Sequence, residues 1–433
     1  MRVLMFGWEF PPHIAGGLGT ACEGIVKGLA HNGVESIFVM PSASGDEDQS
    51  CTRIINASDV AVEYVSGSED ELLDKVKFVH IDSNLIPYAD PEEFSRIVED
   101  ERARQVKDFR IAFGQKFKFS GKYGKDLLEE VARYAMVGGT IAVQHKDEFD
   151  IIHANDWLTY LAGIAAKELT GKPLVVHVHA TSFDRGTDDM VDSRVYAIER
   201  KGMLAADRVV TVSDLTRNIV INKYGIDPGK VVTVHNAVDF SGRENLSVER
   251  GVRDKVVTFL GRITFQKGPE YFIEAAAKVL KRTGGVRFVM AGSGDMMNRA
   301  IRLVARRGIS DRFHFTGFLR GEEVQKMFAL SDVYIMPSVS EPFGISPLEA
   351  MRTGVPSIIS YQSGAAEVLR YALKVDFWDV DAMADDIYAL LKYPALSSFA
   401  AKQGYDEVNE LKWNNATAKL KNVYESVLNS QSI

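Results

Sequence analysis

The stretch VYIMPSVSEPFGISPLEA, residues 333–350, contains one complete strand–loop–helix unit. The four apolar residues Val333–Met336 predict a strand that is buried on both faces. Ser346 suits the N-cap of a helix and Pro347 its first turn, so we expect a helix to begin there. A buried strand that leads through a short loop into a helix is the repeating unit of a parallel α/β sheet.

Similar short apolar runs, separated by helical patterns, recur in two batches along the chain. The predicted strands are Val3–Phe6, Ser36–Met40, Ile151–His153, Leu174–His179, Arg208–Val212, Val256–Leu260, Arg287–Ala291, Phe313–Thr316, Val333–Met336 and Ser357–Ser360. Their pattern predicts two doubly wound parallel sheets. The polar stretch Phe240–Asp254 separates the batches. We therefore predict Rossmann-like α/β domains over residues 1–240 and 250–412, followed by an amphipathic helix within residues 413–433, with Ala418, Val423 and Val427 near one face.

The composition disfavours several classes of protein. The chain has 433 residues, with 51 Lys and Arg against 59 Asp and Glu, which gives a formal net charge of −8. This balance argues against nucleic acid as the main partner, because phosphate binding needs a basic surface. Cys22 and Cys51 are too few for a disulfide framework or a zinc site of their own. Without a signal-peptide pattern or a run of about 20 apolar residues, we expect a soluble, cytoplasmic protein without a membrane span.

Two consecutive glycines, Gly16 and Gly17, stand in the loop after the first predicted strand. Their backbone N–H groups, at a helix start, could approach an anion closely, but a tight turn that needs small residues explains them equally well. A dinucleotide fingerprint would need a third glycine where Cys22 stands and an acidic residue in place of Pro41. The loop therefore disfavours a Rossmann dehydrogenase.

Two cations share one loop in the second half of the chain. Arg262 follows the strand Val256–Leu260, and Lys267 precedes a helix that we expect to begin at Pro269. A guanidinium and an ammonium above the C-terminal edge of a sheet are well placed to bind a diphosphate. The alternative is that both are solvated surface cations.

The most specific motif runs from Glu341 to Glu349. The first carboxylate falls in a loop, the second falls in the first helical turn, and the backbone N–H groups of Phe343, Gly344 and Ile345 lie between them. Carboxylates accept hydrogen bonds from vicinal sugar hydroxyls, so this pair could hold a hexose and a ribose together. The alternative is two purely structural glutamates.

Two histidines, His177 and His179, end one predicted strand on the same face, because side chains two residues apart in a strand point the same way. A metal pair is conceivable, but no third ligand has a recognisable spacing. We expect at least one of the two to be an ordinary buried, hydrogen-bonded histidine.

The stretch Arg102–Lys125 is strongly basic and carries interleaved aromatic residues. One interpretation is a solvated helix face above a buried aromatic stripe. The other is a surface for a polyanion, a sugar chain or a membrane headgroup.

Together these residues resemble the retaining glycosyltransferases of the GT-B fold, specifically the GT4 family, with glycogen and starch synthases as more distant relatives. The resemblance covers nearly the whole chain and is strongest at Glu341–Glu349, which is similar to the E-x7-E signature of that family. It implies two Rossmann-like domains that face a cleft, with a segment from Trp413 that crosses back to the first domain. Supporting matches are Gly16-Gly17-Leu18, His153-Ala154-Asn155-Asp156-Trp157, His179, Asn236-Ala237-Val238-Asp239, Arg262 with Lys267, and Gly292-Ser293-Gly294-Asp295.

The resemblance also implies catalytic and binding roles. Arg262 and Lys267 would hold the phosphates of a nucleoside diphosphate, and Glu349 would hold its ribose. Glu341 and His179 would position the donor sugar during transfer. Further donor contacts would come from Gly16, Gly17, Phe343, Gly344, Ile345 and Gly364. The acceptor contacts would come from Glu9, Asp156 and Trp157.

By this resemblance the chain moves a hexose, glucose first among the candidates, from a nucleotide sugar to a hydroxyl of a saccharide or glucan. A front-face mechanism with retention is expected, without metal or cofactor. Ile14 and Leu158 replace a lysine and a histidine that are usual in the polymer-extending synthases, which favours the broader GT4 group. A sugar-nucleotide isomerase of the 2-epimerase type and a non-catalytic nucleotide-sugar or carbohydrate sensor remain as alternatives. The sequence does not predict the oligomeric state.

Overall fold

The protein is described here by a computed structural model, in which the described residues are 1–14, 17–62, 114, 116–123, 127–185, 191–238, 248–251 and 253–430. They form two parallel sheets, one of seven and one of six strands, with the orders β3-β2-β1-β4-β5-β6-β7 and β10-β9-β8-β11-β12-β13. The strands of the first sheet are β1 (Arg2–Phe6), β2 (Glu35–Met40), β3 (Arg53–Asn56), β4 (Ile151–Asn155), β5 (Leu174–Val178), β6 (Arg208–Thr211) and β7 (Val231–Thr233). Those of the second are β8 (Lys255–Leu260), β9 (Val286–Ala291), β10 (Phe313–Gly317), β11 (Val333–Met336), β12 (Ser357–Ser360) and β13 (Leu373–Val375).

Helices alternate with these strands along the described part of the chain. In the first half they are α1 (Gly17–His31), α2 (Leu127–Gln144), α3 (Trp157–Thr170), α4 (Ser182–Arg185), α5 (Ser193–Ala205) and α6 (Asp214–Tyr224). In the second half they are α7 (Pro269–Arg282), α8 (Met297–Arg307), α9 (Glu322–Leu330), α10 (Ser346–Arg352), α11 (Ala365–Val368), α12 (Val380–Lys392), α13 (Pro394–Val408) and α14 (Trp413–Ser430). None of these described helices combines the length and the apolar character that crossing a lipid bilayer requires.

The predicted pair of doubly wound sheets is confirmed. Alternate residues of β1 face opposite cores: Leu4 and Phe6 pack with α2 and α3, whereas Val3 and Met5 pack with α1 and α14. All ten predicted strands are present, but the strands predicted to reach His179 and Val212 each end one residue earlier. The domain boundaries themselves stay a prediction.

The sequence missed three strands, β3, β7 and β13, all of which lie at sheet edges. Most of their residues are only half-buried, and each strand has three or four residues. Such edge strands lack the continuous apolar run that identifies a central strand, so their pairing partners define them.

The C-terminal helix α14 lies against α1. Its buried residues are Trp413, Ala416, Thr417, Leu420, Val423, Tyr424 and Val427. Two glycines of α1 allow this approach, since a Cβ on Gly24 would lie 2.2 Å from the Trp413 ring and one on Gly28 would lie 2.6 Å from Thr417 Oγ1. The predicted amphipathic helix is present, although Ala418 is only half-buried.

Candidate active site

Lys267 and Glu341 come together at the C-terminal edge of the second sheet. Lys267 Nζ donates a hydrogen bond to Glu341 Oε2, which also accepts from Ser338 Oγ at 3.3 Å. The lysine side chain is 18% exposed and the glutamate side chain 8%. Lys267 and Glu341 were predicted to bind the phosphates and the sugar of one nucleotide-sugar substrate, and in this structure they contact each other directly.

The backbone brings the two loops into contact. The Val339 N–H donates to Gln266 C=O at 2.8 Å. Gly268 has φ +65°, and a Cβ there would lie 2.1 Å from Pro337 O. Only glycine fits this approach, because it tolerates a positive φ and has no side chain.

Arg262 lies on the same loop as Lys267 and is exposed, with Nη2 at 3.5 Å from Gln266 Oε1. Glu349 is half-buried in the first turn of α10. Burial raises the pKa of its carboxyl, and the nearby charge of Arg352 opposes that rise. Arg262 and Glu349 of the predicted donor site therefore follow two strands of the same sheet, one in a loop and the other in the first turn of a helix.

The helix α10 begins at Ser346 itself. With Ser346 as the N-cap, the first helical residue would have been Pro347. Ile345 is the N-cap residue and makes no side-chain capping bond. Ser346 Oγ instead accepts a hydrogen bond from Tyr334 OH at 2.9 Å. The predicted N-cap role of Ser346 is wrong because this tertiary contact engages the hydroxyl.

The loop between the two glutamates is held by the segment that follows β12. Gly364 N–H donates to Glu341 C=O at 2.9 Å, and Ala365 N–H donates to Phe343 C=O at 2.7 Å. Gly344 has φ +94°, which turns the chain sharply. Within the described residues, the N–H groups of Phe343, Gly344 and Ile345 donate no hydrogen bond to a protein acceptor, so these three donors can serve a ligand.

His179 lies just beyond β5 and is fixed at its ring and at its backbone. Its Nε2 lies 3.0 Å from Asn155 Oδ1, and its N–H donates to Asp156 Oδ1 at 3.1 Å. The ring stacks on His177, with centroids 4.3 Å apart. Burial lowers the pKa of His179 to about 3, so the imidazole is neutral near pH 7.

His177 differs from His179, whose hydrogen-bonded ring meets the expectation that at least one of the two histidines is hydrogen-bonded. His177 is 1% exposed, and neither nitrogen has a hydrogen-bond partner within the described part of the chain. Burial and the neighbouring histidines lower its pKa well below the usual value. His177 is therefore a buried histidine, but not a hydrogen-bonded one.

The residues predicted to meet the acceptor are all buried. Asp156 has φ +62°, unusual for a residue other than glycine, and its Oδ1 also accepts from the Ala180 N–H at 3.2 Å. Burial raises the pKa of Asp156 to about 6. Glu9 accepts from the Gly19 N–H at 3.1 Å, and Trp157 opens α3. The three carry structural contacts, and their acceptor role stays a prediction.

Gly17 is the exposed first residue of α1, and a Cβ built there would meet no atom within 4 Å. Gly16 lies outside the described residues. The open side of Gly17 leaves room for a ligand to approach the backbone of this helix start.

Sequence reasoning missed a polar cluster that joins the two sheets. Asp184 accepts from Thr181 through Oδ2 and from Ser340 Oγ through Oδ1 at 2.7 Å, next to Glu341. Arg185 lies 3.8 Å from Asp156 Oδ2. No local sequence pattern predicts the contact of Asp184, because its partner Ser340 is 156 positions away.

A second contact between the sheets contains the one group of potential metal ligands found among the described residues: Asp214, His235 and Glu367. Glu367 Oε2 lies 2.7 Å from His235 Nε2 and accepts from the Asp214 N–H at 2.9 Å. Its Oε1 accepts from the Leu215 N–H at 2.7 Å. Protein groups already hydrogen-bond to both oxygens of Glu367. We therefore interpret the cluster as a structural contact at the start of α6 rather than as a metal site.

Most of the basic stretch Arg102–Lys125 lies outside the described residues. Residues 116–123 are described and are not helical, so the helix-face interpretation is wrong for this part. Phe119 is buried and packs edge-on against Tyr134, and Arg133 lies over the Phe117 ring. These aromatic residues close the core of the first sheet.

Comparison with known proteins finds relatives over the whole chain. A model described as Glycosyltransferase Family 4 matches residues 88–241, and one described as Glycosyl transferases group 1 matches residues 243–407. An uncharacterised glycosyltransferase of Methanocaldococcus jannaschii is 27% identical over 98% of both chains. Glycogen synthase of Mycobacterium tuberculosis is 22% identical over 98% of this chain and 94% of its own.

Solved structures share the fold. Sucrose-phosphate synthase from Thermosynechococcus elongatus superposes with a TM-score of 0.69 at 17% identity, covering 99% of each chain. HepE of Anabaena, solved in complex with UDP and glucose, has a TM-score of 0.65 at 16% identity, covering 98% of this chain and 100% of its own. At these identities the likeness shows the two-sheet architecture.

Proposed function

The chain belongs to the GT-B glycosyltransferases of the family 4 type, and we propose that it transfers a hexose, glucose first among the candidates, from a nucleoside-diphosphate sugar to a hydroxyl of a saccharide or glucan. The glycogen synthase and sucrose-phosphate synthase relatives support a sugar acceptor. The complex of HepE with UDP and glucose supports a nucleotide-sugar donor.

The contact between Lys267 and Glu341 carries this proposal. An ammonium and a carboxylate already meet at the C-terminal edge of the sheet, where α/β folds bind ligands. A donor would separate them, because its diphosphate offers Lys267 more negative charge and its sugar hydroxyls satisfy Glu341. Arg262 would bind the same diphosphate, and Glu349 would accept hydrogen bonds from the ribose.

The remaining donor contacts would come from both sheets. The N–H groups of Phe343, Gly344 and Ile345 would donate to the sugar or its phosphate. Gly364 would hold their loop in place through its bond to Glu341. From the first sheet, Gly16 and Gly17 would cover the sugar diphosphate, and His179 would contact the sugar.

In the mechanism that we propose, the bond between the anomeric carbon and the diphosphate breaks while the acceptor oxygen bonds to the same face. The departing phosphate oxygen takes the proton of the acceptor hydroxyl. The configuration is retained because the new bond forms on the face that the diphosphate leaves. Arg262 and Lys267 stabilise the charge that develops on the diphosphate. Glu341 and His179 orient the sugar as it gains positive character. The two cations replace a metal ion, and the reaction needs no cofactor.

The experiment is a screen of nucleoside diphosphate release from UDP-, ADP- and GDP-sugars, with and without glucans and simple sugars. We expect acceptor-stimulated release from one donor, a product with retained anomeric configuration by NMR, and the same rate in EDTA. In Glu341→Gln the rate should fall by roughly 100-fold or more, since one charge-assisted contact to the reacting sugar is lost.

The matched control is Glu425→Gln, which neutralises an exposed carboxylate on α14. This variant should keep the wild-type rate. Conversion of the donor without loss of its sugar would favour the epimerase, and binding without turnover would favour the sensor. Either result overturns the proposed transfer, and inverted product or inhibition by EDTA overturns its front-face or metal-free form.

A further inference from the structure

A buried chain of hydrogen bonds connects the C-terminal helix to His179. Tyr424 OH lies 2.5 Å from His153 Nδ1, and His153 Nε2 lies 3.2 Å from Asn155 Oδ1. The same Oδ1 lies 3.0 Å from His179 Nε2. Tyr424, His153 and Asn155 are completely buried. The path crosses from α14 through β4 to the loop after β5.

The direction of every hydrogen bond in this chain follows from Asn155. Its Nδ2 donates to Phe6 C=O at 3.1 Å, and a carbonyl can only accept, so Oδ1 faces the two imidazoles. Because Oδ1 is itself an acceptor, both rings must donate to it through Nε2–H. His153 Nδ1 is then an acceptor, and the Tyr424 hydroxyl donates a hydrogen bond to it.

The arrangement leaves His179 in one defined state. With its proton on Nε2, its Nδ1 carries a lone pair, and this buried nitrogen has no donor within the described part of the chain. Burial lowers the pKa of both His153 and His179, so both rings are neutral near pH 7. The backbone is fixed as well, because Asp156 accepts the N–H groups of His179 and Ala180.

We infer that Asn155, His153 and Tyr424 are positioning residues for the transfer reaction: they hold His179 as the Nε2–H tautomer and keep its Nδ1 as an acceptor for a sugar hydroxyl. The inference rests on the proposed contact between His179 and the donor sugar. A ring in the other tautomer would present N–H instead of a lone pair at the same place. The C-terminal helix thereby takes part in the reaction although it lies on the outer face of the first sheet.

Variants of Asn155 and Tyr424 are expected to lower the rate by different amounts. Asn155→Leu removes the shared acceptor, so we expect kcat to fall more than tenfold, whereas KM for the donor should change less. Tyr424→Phe removes only the donor to His153, and a single neutral hydrogen bond limits the loss to about tenfold or less. Tyr134→Phe is the matched control, because that buried hydroxyl donates to Val39 C=O at 2.8 Å outside the chain of bonds.

The direct measurement is the side-chain ¹⁵N spectrum of the histidines in the full chain without donor, with His153→Gln and His179→Gln variants for assignment. Wild type and Tyr134→Phe should show protonated Nε2 and unprotonated Nδ1 for His179 at pH 7. Asn155→Leu should shift this signal to mixed tautomers. The titratable neighbours of the ring are His153, His177 and Asp156.

An Asn155→Asp variant gives a second readout. A carboxylate at this position would stabilise a protonated His179, so activity should be lost at a higher pH than in wild type as the pH falls. Unchanged tautomers in Asn155→Leu, or a kcat in that variant equal to wild type, would refute the positioning role. If no donor supports turnover, the proposed function fails, but the NMR result still decides whether the hydrogen-bond chain sets the tautomer.

Discussion

Three neighbouring histidines, on or next to strands of the first sheet, have lowered pKa values and are neutral near pH 7. Their rings therefore carry no charge at the site. His153 has a pKa lowered to about 4 and His179 one lowered to about 3, both chiefly by burial. His177 shows the same direction without a hydrogen bond at either nitrogen in the described part of the chain. A buried unpaired imidazole opposes folding, and it opposes folding more strongly once the unfolded chain can take up a proton.

We predict that His177→Phe makes the protein less sensitive to acid. The folded-state pKa of His177 lies below its unfolded value of about 6.5, so its effect on stability is constant above that pH, and the free energy of unfolding falls as the pH drops below it. Between that pH and the folded-state pKa, each pH unit removes about 1.4 kcal/mol of stability. Urea unfolding at pH 7.5 and pH 5 should therefore show a smaller drop for the variant. His31→Gln, at an exposed histidine, is the control, and equal drops for wild type and His177→Phe would contradict the assignment.

Gly17 gives a second prediction at this scale. Because a Cβ would meet no protein atom within 4 Å, Gly17→Ala should leave the melting temperature unchanged. The methyl group would instead oppose a donor that approaches the backbone, so KM for the donor should rise several-fold. Gly229→Ala, where a Cβ would make only an ordinary contact at 3.5 Å to Asp227, is the control. An unchanged KM would remove Gly17 from the donor site.

Among the helices, α1 and α14 pack closely against each other, so the position of each depends on the other. They pack through glycines on one helix and through Trp413 and Thr417 on the other, and Asn32 Nδ2 donates to Asn414 C=O and Thr417 Oγ1 at 2.9 and 3.0 Å. The last helix of the chain thus covers a face of the first sheet. It also brings Tyr424 to His153.

We predict that Gly24→Ala weakens this packing. Its Cβ would lie 2.2 Å from the Trp413 ring, so α14 must shift, which costs about 1–3 kcal/mol. The melting temperature should fall, and protease cleavage between α13 and α14 should accelerate. Trp413→Leu in the Gly24→Ala background should recover part of the loss. Gly284→Ala, which meets no atom within 4 Å, should match wild type, and equal stability of Gly24→Ala would contradict the packing argument.

At the scale of the whole molecule, the two sheets meet through a small set of polar contacts and through an apolar cluster that Val212 and Val238 share with the second half. Ser340 donates to Asp184, and Glu367 accepts from the start of α6 and from His235. A Cβ on Gly364 would lie 2.5 Å from Ser213 Cβ, so the backbones meet without a spacer. Ser340 directly precedes Glu341, and Gly364 N–H donates to Glu341 C=O. The spacing between the sheets therefore affects the site.

We predict that the double variant Ser340→Ala/Glu367→Ala opens the molecule. The radius of gyration from small-angle X-ray scattering should increase, and KM for the donor should rise, because the sites on both sheets no longer face each other at the same distance. Arg299→Ala, which breaks an exposed ion pair with Glu270 within the second half, is the control. An unchanged radius of gyration would show that apolar packing alone sets the spacing.

Local sequence patterns were sufficient to predict the central strands and the helix starts at Pro269 and near Ser346, whereas the donor-site residues stay a prediction. These depend on short-range patterns: Val333–Met336 is apolar on both faces, and Glu341 and Glu349 are eight positions apart. The edge strands, the contact of Lys267 with Glu341, and the path from Tyr424 to His179 could not be predicted from the sequence and depend on the packed chain. Tyr424 and His153 are 271 positions apart. Periodicity reports the burial of one segment, whereas a hydrogen bond between distant segments exists only after both have packed.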